Sequence, residues 1–201
     1  MRNKLLLLAA MMPLIFSGCI VWDGGYTANT PVRPYAASAD QRVPLTFQLT
    51  LEMTGSGHYG EPTVNDLQER ISLALRQTGL FSEVKYGTPA EGDKGYYVQF
   101  AFKQAGMNEA DDCDVAAMSL AVLFCIPTFS ISTFDASATL IRQDKPLYST
   151  VKAEELRTMY WLPLIPAGFF FNDWTGWDAV KQGAVNALVN DIASCISAKR
   201  P

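Results

Sequence analysis

The chain has 201 residues, 16 of them basic and 20 acidic, a single histidine and a formal charge of −4. An acidic protein repels phosphate backbones and anionic headgroups, so nucleic acid is excluded as a natural partner and membrane contact is left to apolar groups. With 49% apolar residues the chain is long enough and greasy enough to bury a proper core. At the N-terminus Arg2 and Lys4 precede an apolar run from Leu5 to Phe16. A basic start followed by a short apolar run reads as a secretory signal. The run is too short to span a bilayer, which takes about 20 apolar residues.

The run ends in Phe16-Ser17-Gly18-Cys19. These residues resemble the lipobox of bacterial lipoproteins, with Phe16 where that family usually has leucine. The resemblance implies cleavage of residues 1–18, diacylglycerol on the Cys19 thiol and an acyl group on the new amine. Each buried methylene contributes about 0.8 kcal/mol, so two or three acyl chains hold firmly. In enterobacterial members an Asp after the cysteine marks inner-membrane retention. Residue 20 here is Ile, which implies lipid anchoring in the outer membrane, facing the periplasm. Loss of the signal removes Arg2 and Lys4, leaving 14 basic residues against 20 acidic ones and a formal charge of −6.

Residues 19–42 read as a lipidated N-terminus and flexible tether, because Gly24-Gly25, Pro31, Pro34 and small polar residues show neither helical nor strand period. As a coil the tether would reach about 25–30 Å. Residues 43–201 then form a single α+β domain. Leu45, Phe47, Leu49, Leu51 and Met53 alternate with polar residues, the mark of a half-buried strand. After a glycine-rich loop, Thr63 is an N-cap with Asp66 three residues on. Val64, Leu67, Ile71, Ala74 and Leu75 share a helical face, and Gly79 supplies the left-handed stop. Strands follow at 80–86 and 96–103. Residues 134–142 and 147–158 predict a hairpin around a turn at Gln143-Asp144-Lys145-Pro146. Residues 178–197 are helical, with Val180, Ala184, Leu188, Ile192 and Cys195 on one face. An antiparallel sheet of about five strands with both helices on one face buries all these stripes at once.

Two apolar runs flank the hairpin, one from Val115 through Pro127 to Phe129, the other from Met159 to Phe171. Hairpin geometry puts both at one end of the sheet, with the turn about 35 Å away. Two arrangements satisfy them. They close the bottom of the core, or they expose Leu123, Phe124, Trp161, Leu164, Ile165, Phe169 and Phe170 to a membrane or a partner, as aromatic residues at an interface do. Three cysteines remain after Cys19. A disulfide suits an oxidising envelope, and of the three pairings Cys113 with Cys125 closes the shortest loop. One straight helix holding both would keep them about 18 Å apart and forbid the bond.

Chemistry-bearing motifs are few. His58 has no Cys or His at ligand spacing. Glu109, Asp111, Asp112 and Asp114 lack the glycine and distal glutamate of an EF-hand and read as a solvated loop. Glu154 and Glu155 are strand neighbours, so they face opposite sides and cannot work as an acid–base pair. No catalytic set, metal site or cofactor is expected.

The lipobox, Thr78-Gly79-Leu80-Phe81-Ser82-Glu83-Val84, Ile126-Pro127-Thr128 and Trp161-Leu162-Pro163-Leu164 together resemble a poorly characterised group of envelope lipoproteins. The first half also resembles the strand-helix-strand domains of periplasmic assembly lipoproteins. The resemblance implies a non-catalytic binding or assembly accessory with an envelope protein partner. The alternative is a lipid or small-molecule carrier with an apolar cavity formed by residues 115–129 and 159–171.

Overall fold

The computed structural model describes residues 18–23, 30–54, 63–89, 95–105, 128–161 and 173–198, with the backbone alone at 18–23, 128–132, 156–161 and 173–177. It is an α+β fold. The strands are β1 (Gly18–Asp23), β2 (Val43–Thr54), β3 (Phe81–Tyr86), β4 (Tyr96–Ala105), β5 (Thr128–Arg142) and β6 (Lys145–Trp161). The helices are α1 (Val64–Gln77) and α2 (Asp173–Ala198). One six-stranded sheet runs in the order β1-β6-β5-β4-β2-β3.

Alternation in β2 does what its pattern predicts: Leu45, Phe47 and Leu49 are buried, and Thr50 and Glu52 are exposed. Thr63 caps α1, its Oγ1 accepting the Asp66 N–H at 3.1 Å. Gly79 ends the helix at φ +71°, and a side chain there would meet the Tyr35 carbonyl oxygen at 3.2 Å. Leu67, Ile71, Ala74 and Leu75 of α1 and Val180, Ala184, Leu188 and Ile192 of α2 pack onto one face of the sheet. Phe47, Phe100, Phe102 and Phe134 form the aromatic middle of that core, each ring 5.7 to 6.4 Å from the next. Cys195 is half-buried against it.

Three features depart from the sequence reading. The sheet has a sixth strand and is mixed, because β2 runs parallel to both β3 and β4. A helix between β2 and β3 carries the chain back to its starting end, which makes the pair parallel. β3 has only six residues, so residues 87–95 suffice to bring β4 in on the other side of β2 in the same direction.

The hairpin is also longer and tighter than expected. Its turn is only Gln143 and Asp144, at φ 51° and 58°, the type I′ geometry that fits strand twist. Lys145 and Pro146 already belong to β6, and Thr128, Phe129 and Met159 to Trp161 are strand residues. Neither turn residue is glycine, so each carries the cost of left-handed backbone. Gln143→Asn with Asp144→Gly is expected to stabilise the fold by about 1 kcal/mol, read as a raised urea midpoint with unchanged slope.

Third, residues 30–42 are not a free tether. They form a strap along α2 that reaches the C-terminal end of α1. Asn186 Nδ2 donates to the Thr30 carbonyl at 2.8 Å, and Asn190 Nδ2 donates to the Pro31 carbonyl at 2.9 Å. Asn190 Oδ1 accepts the Arg33 N–H at 2.8 Å. Tyr35 N–H reaches the Thr78 carbonyl at 2.8 Å, while its hydroxyl sits 2.7 Å from Ser194 Oγ. Val32, Tyr35 and Ala37 pack against the core. A 3-10 turn at Ala39–Gln41 ends the strap, and its Asp40 carboxyl is held below the usual range by the Ser38 side chain and then by the backbone.

Candidate membrane-facing site

The register shows where the ends of the elements gather. Thr54 pairs with Ala105, and Ala105 with Thr133, the last row to which β2 and β4 contribute. Beyond that row β5 and β6 continue, and β1 joins them. Thr128, Tyr160 and Cys19 share one row, and Ser132, Leu156 and Asp23 share another. This three-stranded extension, β5-β6-β1, projects five residues past β4, about 17 Å at strand rise. The hairpin turn lies at the opposite pole.

The helices start at the same pole as the extension. Arg70 of α1 donates to Gln182 Oε1 at 3.2 Å and to Asp178 Oδ1 at 3.1 Å, and Tyr35 bridges Thr78 to Ser194 further along. The helices therefore run side by side in one direction. α2 is tied to β6 by Asp191, whose Oδ2 accepts from Thr150 Oγ1 and from Lys152 Nζ, both at 2.8 Å. Asp66 lies in the first turn of α1, where the dipole favours an anion, and Asp178 lies in the second turn of α2. Arg70 and the buried Lys181 hold them in one ion-pair cluster. Residues 55–62, 106–127 and 162–172 all leave and rejoin the described fold at this pole.

The predicted site residues divide accordingly. Cys19 stands in β1 opposite Tyr160, and Trp161 ends β6 opposite Gly18. Leu123, Phe124, Leu164, Ile165, Phe169 and Phe170, the Cys113 and Cys125 pair, His58 and the acidic run 109–114 lie outside the described residues. Among the described residues no three Cys, His, Asp or Glu side chains come together as metal ligands. No helix there is long and apolar enough to cross a membrane.

The face turned away from α1 and α2 changes character along the sheet. Over the core it is polar and exposed: Thr50, Glu52, Gln99, Lys103, Asp135 and Glu155 belong to it, with Lys103 and Glu52 paired at 3.8 Å. Val151 on this face is 66% exposed. In the extension the same strand parity carries Ile20, Met159 and Phe129 in one row and Trp22, Arg157 and Ile131 in the next. Sequence reading missed these rows: Thr128-Phe129-Ser130-Ile131-Ser132 shows period two, but Cys19-Ile20-Val21-Trp22 and Met159-Tyr160-Trp161 are unbroken apolar runs. The helix-side face holds two buried polar groups where the extension begins. Gln104 and Glu154 flank Phe134 in one row, and Gln104 Oε1 accepts no hydrogen bond from the described protein. Glu155, next to Glu154, is exposed on the other face, as strand alternation requires.

No family model matches the chain, and no curated protein matches it. Among solved structures it is similar to a Xanthomonas campestris protein of the DUF330 family, at 10% identity over 82% of this chain and 89% of that one, with a TM-score of 0.42. It is similar to the PelC dodecamer of Paraburkholderia phytofirmans, at 10% identity over 86% and 96%, TM-score 0.36. A Helicobacter pylori protein described as a neuraminyllactose-binding hemagglutinin homolog gives 8% identity over 87% and 89%, TM-score 0.36. At such identity and overlap none of these proteins' properties extends to this chain.

Proposed function

We propose that this chain is an acyl-anchored lipoprotein of the bacterial envelope, held in the outer membrane through Cys19, acting as a non-catalytic binding or assembly accessory for another envelope protein. One observation carries the reading. The register brings Cys19 to the pole where residues 106–127 and 162–172, which hold most of both apolar runs, leave and rejoin the described fold. Acyl chains and apolar side chains then meet the bilayer from one end, and the polar pole with the Gln143-Asp144 turn faces away. Cys19→Ala is expected to abolish palmitate incorporation and flotation with membranes while leaving the domain folded. Label retained by that variant overturns the reading.

The carrier reading keeps one observation in its favour. A buried Gln104 amide oxygen with no hydrogen-bond donor in the described protein sits beside Phe134 at the same pole, as the polar end of an apolar ligand site does. Lipid that copurifies in native mass spectrometry, and is lost in Gln104→Leu, would support it.

A further inference from the structure

We propose that the exposed face of the sheet over the core packs against the same face of a second copy of the chain, about a two-fold axis that runs along the strands. The inference goes beyond the anchoring reading and does not rest on acylation of Cys19.

Four rows across β2, β4, β5 and β6 make up the face, from the row of Gln48 and Ser149 to the row of Thr54 and Glu155. In the second row Thr50, Ala101, Ser137 and Val151 stand side by side. All are short, which lets another sheet approach to about 10 Å. In the third row Glu52, Lys103 and Asp135 alternate in sign and are all exposed. Lys103 leans to Glu52 at 3.8 Å, and Asp135 makes no ion pair among the described residues. An axis between β4 and β5 sets β4 opposite the partner's β5. Lys103 then faces the partner's Asp135, and Asp135 faces the partner's Lys103. In the row beside them Ala101 faces the partner's Ser137, and Thr50 faces the partner's Val151. The face is thus complementary to itself in charge and in side-chain size, as a closed two-fold contact requires. Two twisted sheets cross at about 30°, which shifts the outer strands out of line but leaves β4 and β5, beside the axis, opposed. Strands about 4.8 Å apart and rows about 6.8 Å apart give about 500 Å² per copy, so the pair buries the roughly 1,000 Å² that a specific interface needs. The axis also keeps the Cys19 pole of both copies at the same end, so both chains can stand on one membrane. Antiparallel pairing of two β3 edges would send those poles opposite ways.

The test is sedimentation of the full chain, purified from membranes in excess detergent, over a concentration series. Circular dichroism establishes that each variant folds. Lys103→Glu sets carboxylate against carboxylate across the axis, and Asp135→Lys sets ammonium against ammonium. Each is expected to weaken dimerisation about tenfold or more. The two together restore opposed charges with the signs exchanged and are expected to bring the dimer back to near its original strength, a recovery that a merely structural role would not give. Ala101→Arg, which fills the space at the axis, is expected to leave a monomer. A chain that is monomeric at every concentration overturns the inference, and photo-crosslinks in cells from position 151 to a different protein would then give the face to a foreign partner. A dimer that ignores the single exchanges or Ala101→Arg also overturns it, because the copies then meet elsewhere. Loss without recovery in the double variant overturns the opposition of Lys103 and Asp135, and the axis with it.

Discussion

Phe134→Ala is expected to destabilise the domain by about 3–5 kcal/mol, enough to unfold a marginal protein of this size. The ring is fully buried in the central strand β5 and stacks on Phe102 at 5.7 Å. Its neighbours along β5 on that face, Ala136 and Ala138, are small and buried, so neither can reach into the cavity. Strand pairing on both sides fixes the backbone, which prevents collapse. Urea unfolding followed by circular dichroism measures the loss. A cost below about 1 kcal/mol would mean that the pole relaxes around the cavity and that the core there is loosely packed.

The second large effect belongs to the strap. Asn190→Ala removes two hydrogen bonds at once, from the Arg33 N–H and to the Pro31 carbonyl, and is expected to cost about 2 kcal/mol. Asn190 is 6% exposed, so water does not readily replace the amide. The signature is local. Exchange of the Arg33 amide should accelerate strongly, while amides in the middle of α2 keep their protection. Unchanged exchange at Arg33 would show that Val32 and Tyr35, packed on the core, hold the strap without the asparagine.

These two residues also mark how far the sequence could be read. Phe134 belongs to a period-two stretch, and such stretches announced β2, β4 and the centre of the hairpin, as the 3.6-residue stripe announced both helices. Local caps were equally plain: Thr63 and Gly79 act where their chemistry requires. Strand direction was not legible, because alternation is the same for parallel and antiparallel pairs. The strap was hidden for another reason. Asn186 and Asn190 grip its backbone groups rather than its side chains, so Thr30, Pro31 and Arg33 need no pattern of their own. β1 is an edge strand of six residues inside a stretch whose glycines and prolines spoke for coil. Of the predicted contact residues, Trp161 falls within a described strand, at the end of β6 opposite Gly18.

The strap also decides how the domain answers to traction. Its attachments to Asn186, Asn190 and Ser194 are spaced one helical turn apart along α2, and the strap runs with that helix. A tug on the chain ahead of Thr30 therefore loads all of them together, sideways, instead of peeling them one by one. Six residues, 24–29, separate the edge strand from the first gripped carbonyl. Whatever drags the N-terminus drags the whole body with it, as a keel moves with its hull.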